Sequence, residues 1–244
     1  MSIPKKIHYC WFGGAELPAS AQKCIQSWKK FCPDFEIIRW DESNFDISQN
    51  RYASEAYAAK KWAFVSDYAR LKIIEEHGGI YFDTDVELLR PIDDLLQYSG
   101  FMGYGDDLCV STGLGFGAIP NHPVVGAILA DYAEIPFLLA DGSYDMLPCP
   151  KRNTEVLKAL GLTPGKAYQT LLGMIFLPQE CLCPMNYYTG KINKTENTYS
   201  IHRFDASWTT PTAKRTTRLK RLIGIRAYDF LYAKFLHKFN GWEW

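Results

Sequence analysis

Apolar positions in the first eighty residues follow two periods in turn. Ile7 to Trp11 is a mainly apolar run broken by Phe12-Gly13-Gly14, and Phe35 to Trp40 is a second run ended by Asp41; both read as strands. Between them, from Pro18 or Ala19 to Phe31, the spacing predicts a helix, with Pro18 suited to its first turn and Pro33 beyond its end. Strand–helix–strand is the opening of a parallel, doubly wound sheet, in which ligands sit beyond the carboxyl ends of the strands. Residues 51–60 read as a further helix. Trp62 to Glu76 is the clearest helix, stopped at Gly78, and Ile80 to Phe82 a short buried strand after it. Beyond the turn at Pro91, Phe101 to Gly105 and Leu114 to Ile119 read as strands, and His122 to Ile135 and Arg152 to Leu160 as helices. Phe176-Leu177 and Tyr199 to Phe204 are short strand candidates. No internal repeat or long linker divides the chain.

Length narrows this to one large α/β domain, since 244 residues suffice to bury most of the apolar surface. Apolar residues make up 47% and aromatic residues 15%, and no apolar run approaches the roughly 18–20 residues of a membrane span. The opening MSIPKKIHYCWF has too short an apolar stretch for a secretory signal. Seven cysteines without regular spacing favour a reduced, cytoplasmic protein over a disulfide framework, and Cys181-x-Cys183 lacks the second pair that a zinc site needs. Formal charge is zero but uneven. From Thr212 to Trp244, eight Lys or Arg stand against Asp229 and Glu243, so an acidic body, residues 1–211, carries a basic tail, 212–244. In that tail Leu219, Leu222, Ile223, Phe230, Leu231, Phe235 and Leu236 recur at three- and four-residue steps. Lys214, Arg215, Arg218, Lys220 and Arg221 crowd its front, and Gly224 reads as a hinge. Such a basic amphipathic helix suits the surface of an anionic membrane, or packs its stripe on the sheet with its charges solvated.

The candidate chemistry sits in GGIYFDTDVELL, Gly78 to Leu89. If strand geometry persists, Asp83 and Asp85 project from the same side and address one point. Converging carboxylates repel unless a positive charge lies between them, and a hard divalent cation such as Mg²⁺, held with substrate phosphates, resolves that repulsion. On the preceding helix Asp67 and Arg70 are i, i+3 neighbours on an otherwise apolar element. Enclosed charges need partners, and a polyhydroxylated ligand would serve both.

Three segments in this order, IHYCWFGG, AFVSDYARLKIIEEHGGIYFDTDVELL and IHRFDASW, resemble the DXD-containing sugar transferases of glycosyltransferase family 32. That family includes bacterial capsule transferases and is distantly similar to clostridial toxin glucosyltransferase domains. The resemblance covers roughly residues 3 to 208. It implies a GT-A nucleotide-binding α/β sandwich with a mostly parallel sheet flanked by helices, and retaining sugar transfer. By the same resemblance Trp11 stacks on the nucleobase, and Asp67 and Arg70 hold hydroxyls of the donor sugar. Asp83 and Asp85 bind Mn²⁺ or Mg²⁺ on the diphosphate, His202 completes the metal site, and Ser207 with Trp208 closes over the diphosphate. Asp106 and Asp107, on the loop after a strand, join Asp85 as candidates for the reacting face or for steering the acceptor. The implied partners are a donor such as UDP-galactose or UDP-N-acetylgalactosamine and a glycan acceptor, lipid-linked in capsule synthesis, with peripheral membrane contact through 212–244 and no nucleic acid.

Two other classes fit parts of the pattern. A haloacid-dehalogenase-type phosphatase would use Asp83 as nucleophile and Asp85 as acid with Mg²⁺, but its motif normally follows the first strand of its fold, and here two strands and a long helix come first. A non-catalytic carbohydrate-binding module would not need so many separate polar constellations.

Overall fold

The computed structural model describes residues 2–105, 107–205, 211–224 and 227. In chain order the elements are β1 (Lys6–Cys10), α1 (Ala19–Phe31), β2 (Glu36–Trp40), α2 (Arg51–Ala58), α3 (Trp62–His77), β3 (Gly79–Tyr81), β4 (Val86–Leu88), β5 (Gly100–Tyr104), β6 (Val110–Ser111), β7 (Phe116–Ala118), α4 (Pro123–Glu134), α5 (Cys149–Ala159), β8 (Gln169–Leu171), β9 (Met174–Leu177), α6 (Gln179–Leu182), β10 (Ser200–His202) and α7 (Pro211–Ile223). The large sheet has the order β2-β1-β3-β7-β5-β9-β8, with β6 also on β5. Strands β2, β1, β3, β5 and β9 run one way, and β6, β7 and β8 run against them. Strands β4 and β10 form a separate antiparallel pair.

The α/β sandwich predicted from the sequence is the observed architecture. One core, on the face covered by α2, α3, α4 and α5, gathers Tyr52, Phe64, Leu71, Tyr132 and Phe176; the other, under α1 and α6, gathers Trp28, Phe82, Phe101 and Leu182. Helix α3 is buried along much of its circumference, which explains why its sequence is apolar almost all round rather than on one stripe. Full burial of Val65, Leu71, Ile73 and Ile74 contributes about 1.5–3 kcal/mol each. Asn50 fixes α2 by accepting from Ala53 N at 2.9 Å and donating to Tyr132 O on α4 at 2.9 Å.

The link from α3 to β3 demands glycine. Gly78 and Gly79 have φ of 61° and 98°, and a Cβ on Gly79 would stand 2.8 Å from the His8 ring on β1. Glycine here lets α3 end and β3 drop in beside β1 within one residue.

Several sequence expectations shift. Strand β3 ends at Tyr81, and Thr84 and Asp85 form a turn closed by Val86 N donating to Asp83 O at 3.0 Å, so the DXD segment is not extended strand. The expected strand from Leu114 shortens to Phe116–Ala118, because Thr112–Leu114 is a 3-10 turn. The hairpin of β8 and β9 was legible only at Phe176-Leu177. Helix α7 is present, Gly224 beyond it has φ of 85°, and Arg221 donates from Nε and Nη2 to Tyr187 O at 3.1 and 2.9 Å. The stripe positions Phe230, Leu231, Phe235 and Leu236 lie outside the described residues. Among the described residues no helix is long and apolar enough to cross a membrane.

Candidate functional site

A cleft of about 350 Å³ opens where the carboxyl ends of β1 and β3 meet the first turn of α3. Trp11 and Phe12 line one part; Arg70, Asp83, Asp85 and His202 line another. Ligand placement beyond strand ends follows from the topology of an open α/β sheet.

Trp11 follows β1 directly and is half-buried, its Nε1 donating to Ala15 O at 2.7 Å and its backbone N to Trp40 O at 2.8 Å. Trp11 packs against the core and also lines the cleft. This suits a stacking platform and is also ordinary packing for a residue that leaves a strand.

The charged centre is built from three elements. From α3, Arg70 reaches forward: its Nε donates to Ser66 O at 3.0 Å, its Nη2 to the Asp67 carboxylate, and its Nη1 lies 3.4 Å from Asp83 Oδ1. Tyr81, at the end of β3, donates its hydroxyl to the same Asp83 oxygen at 3.0 Å. From β10, His202 brings Nε2 to 3.2 Å from Asp85 Oδ1 and 3.9 Å from Asp83 Oδ2. Its Nδ1 is buried without a hydrogen-bond partner. The antiparallel β4–β10 pairing is responsible, because it sets His202 opposite Val86, next to the DXD turn. The chain after β10 then wraps that turn: Arg203 N donates to Asp85 O at 2.8 Å and Asp205 N to Asp85 Oδ2 at 2.9 Å.

These groups do not share a common electrostatic fate. Burial opposes the Arg70 cation, yet Asp83 and Asp67 together raise its pKa well above the ordinary value. Burial pushes the Asp67 carboxyl up, only partly offset by Arg70. At Asp83, Arg70 and His202 overcome burial and hold the carboxyl below its usual range. At Asp85, burial and the neighbouring Asp83 outweigh His202, and its pKa rises. His202 is raised, since the two carboxylates overcome its own burial.

Asp83, Asp85 and His202 each offer one ligand atom, and these atoms all lie within 4.8 Å of one another. Two carboxylate oxygens and an imidazole nitrogen on one side of an open cleft fit a hard divalent cation; carboxylates suit Mg²⁺ and Mn²⁺, and the nitrogen favours Mn²⁺ of the two. The fit rests on this donor set and on two carboxylates that burial brings to one imidazole.

The other residues read from the sequence fall elsewhere. Asp67 does not line the cleft: it lies beneath Arg70, with 7% of its surface exposed. Asp107 is exposed on the turn after β5, where its carboxylate accepts from Cys109 N at 3.0 Å, and it is not part of the cleft wall. An aspartate two residues before an amide closes its own loop in this way. Asp106, Ser207 and Trp208 lie outside the described residues. Sequence reasoning missed Tyr81, whose signal was only its place two residues before Asp83, and Asp205, which lay unassigned within IHRFDASW.

Residues 18–102 match the family described as glycosyltransferase sugar-binding region containing DXD motif. An uncharacterized glycosyltransferase of Acanthamoeba polyphaga mimivirus is 30% identical over 131 residues, 50% of this chain and 52% of that protein. An alpha-1,4-N-acetylglucosaminyltransferase of Homo sapiens is 36% identical over 80 residues, 32% of this chain and 22% of that protein. Among solved structures, the PaToxG glycosyltransferase aligns at 18% identity and a TM-score of 0.46, over 65% of this chain and 69% of the other. The chain thus spans about half the length of one of these curated relatives and about a fifth of the other.

Proposed function

From the premise that residues 18–102 are a glycosyltransferase sugar-binding region containing the DXD motif, we propose that this protein is a metal-dependent retaining glycosyltransferase. It moves a hexose or N-acetylhexosamine from a nucleotide sugar to a glycan acceptor. The observation that carries this reading is the convergence of Asp83, Asp85 and His202 in the cleft that Trp11 also lines.

In this reading Asp83, Asp85 and His202 hold Mn²⁺ or Mg²⁺, which supplies, when bound, a Lewis acid and template for the diphosphate. Trp11 offers its indole face to the base, a uracil nucleotide being the expected donor, as in UDP-galactose or UDP-N-acetylgalactosamine. Breaking the sugar–phosphate bond develops negative charge on the leaving nucleotide and oxocarbenium character on the sugar. Arg70, hydrogen-bonded through Nε to Ser66 O and through Nη2 to Asp67, with Nη1 ion-paired to Asp83 but without a hydrogen bond of its own, presents a fixed cation to the first. Lys60 and Lys61, also in the cleft wall, add positive charge to it. Asp67 contributes through Arg70, and Ser207 with Trp208 is assigned to closing over the diphosphate. For the acceptor we propose a lipid-linked oligosaccharide of capsule or exopolysaccharide type, reached from the cytoplasmic side, with segment 212–244 against an anionic membrane. Support for that last assignment is the exposure of Leu219 and Leu222 on α7 beside an exposed Arg215; Arg221, in contrast, is turned toward the body of the protein.

Titration with Mn²⁺ alone, followed by thermal shift with UDP, UMP and GDP with and without Mn²⁺, tests the site. A nucleotide at 100 times its Kd adds about 2.7 kcal/mol of stability. The Mn²⁺-dependent part should vanish in Asp83→Asn, Asp85→Asn and His202→Ala while each variant stays folded. UDP release from a panel of UDP-sugars then identifies the donor. Undiminished turnover by Asp83→Asn and Asp85→Asn with the metal chelated would overturn the proposal.

A further inference from the structure

The turn between β6 and β7 packs against the carboxylate of Asp83. It is anchored from α5 at two points: Thr154 Oγ1 accepts from Val110 N at 2.8 Å, and Asn153 Nδ2 donates to Thr112 Oγ1 at 3.3 Å. Thr112 and Asn153 are completely buried. At its far end Gly115 lies flat against the Phe82 ring, where a Cβ would stand at 2.6 Å. Both ends of the turn are therefore fixed, and the backbone between them has little room to retreat.

Gly113 occupies the middle of this turn. A Cβ there would stand 2.4 Å from Asp83 Oδ2, 3.3 Å from Asp83 Cγ and 3.1 Å from Arg70 Nη1. Unlike Gly78, Gly79 and Gly115, it does not have a positive φ, so its backbone is open to any residue. What excludes a side chain here is space, and the group that fills the space is the Asp83 carboxylate. The oxygen concerned, Oδ2, is the one that faces His202, while Oδ1 is occupied by Tyr81 and Arg70.

We propose that Gly113 is a positioning residue of the cation site: its missing side chain leaves the volume in which Asp83 Oδ2 lies, and a methyl group there turns that oxygen away from Asp85 and His202. The inference rests on the reading of Asp83, Asp85 and His202 as a divalent-cation site. The displaced atom is the end of a side chain and not backbone, so the fold survives the substitution and the ligand geometry does not.

The experiment is a double-mutant cycle read by two measurements, calorimetric titration with Mn²⁺ alone and thermal melting without metal. Gly113→Ala is expected to weaken Mn²⁺ binding by about 10–100-fold, the range for groups that orient metal ligands. Gly126→Ala on α4, where the new Cβ would make an ordinary 3.5 Å contact with Glu75, serves as the control with unchanged Mn²⁺ affinity. Once Asp83→Ala has removed the carboxylate, adding Gly113→Ala should cost no further affinity. If Gly113→Ala alone lowers the melting temperature, Asp83→Ala should restore it in the double variant, since nothing is left to collide. Wild-type affinity in Gly113→Ala, or a loss of melting temperature that Asp83→Ala does not rescue, overturns the proposal. Absence of Mn²⁺ binding by the wild-type protein would instead remove the cation reading, and the melting cycle would still decide whether Gly113 seats Asp83.

Discussion

Asp67 with Arg70, and Asp83 with Asp85 and His202, are two charge clusters joined by a single guanidinium, and they are satisfied in different ways. The first is a complementary pair enclosed by protein, with side chains 10% and 3% exposed, and Arg70 has a further acceptor in Ser66 O. The second gathers two like charges around one imidazole at the edge of a cleft, with the Asp83 side chain 29% exposed. The first pair has its charges matched within the polypeptide, with only Arg70 Nη1 left without a hydrogen bond. Two carboxylates that the fold forces together are not so matched, and the surplus negative charge is aimed at whatever enters the cleft. From the sequence the first reads as an ion pair on an apolar helix and the second as two converging carboxylates; the fold encloses the first and sets the second at the cleft.

The strongest way to break this comparison is to remove one charge from the closed pair. Asp67→Ala removes the carboxylate hydrogen-bonded to buried Arg70, leaving it Ser66 O and the more distant Asp83, and should cost up to about 3–5 kcal/mol of stability. Removing the charge at the second cluster, Asp85→Asn, should change stability by less than about 1 kcal/mol, because it relieves repulsion from Asp83 and leaves an amide oxygen for Asp205 N. Urea unfolding of both variants checks the contrast; equal losses would mean that the two clusters are one structural network.

A second contrast is between the histidines. His8 on β1 is fully buried, with Nδ1 accepting from Trp40 Nε1 at 3.0 Å and Nε2 facing Gly78 O at 3.0 Å, so its neutral tautomer is complete and a second ring proton has no acceptor. Burial lowers its pKa from 6.5 to about 4. A base depressed in the folded state contributes stability that is present above pH 6.5 and is lost as pH falls toward 4, by about 3 kcal/mol in all. Unfolding free energies at about pH 7 and about pH 4.5 should therefore converge by about 2–3 kcal/mol in His8→Gln relative to wild type. An acid limb that is unchanged by the substitution would show that His8 is not held neutral.

The smallest expected effect concerns the cleft's aromatic wall. Trp11→Ala should weaken UDP binding by about 1–3 kcal/mol, as for base–aromatic stacking, with the fold retained. Equilibrium binding of UDP to the folded variant measures this. Unchanged affinity would leave Trp11 a packing residue and confine recognition to the charged end.

The order of strands and helices up to β3 was legible because each element there carries its own local signal: apolar runs ended by Phe12-Gly13-Gly14 or Asp41, and a long apolar helix stopped by Gly78. Later strands are short, and several run antiparallel to their neighbours, so pairing across the chain defines them more than composition does. At the site, sequence spacing alone brings Asp83 and Asp85 together, through a turn, since strand geometry does not persist past Tyr81. His202 lies more than a hundred residues further on, and only the β4–β10 register sets it beside them. The same holds for Asp67 and Gly113. An i, i+3 pair on a helix does not reveal which partner faces a cleft and which is covered, and a glycine at ordinary φ gives no local sign of the carboxylate that fills its empty side-chain space. Local sequence fixes the elements because backbone preferences act over a few residues. The shape of the site depends on contacts between distant segments, and packing in three dimensions decides those.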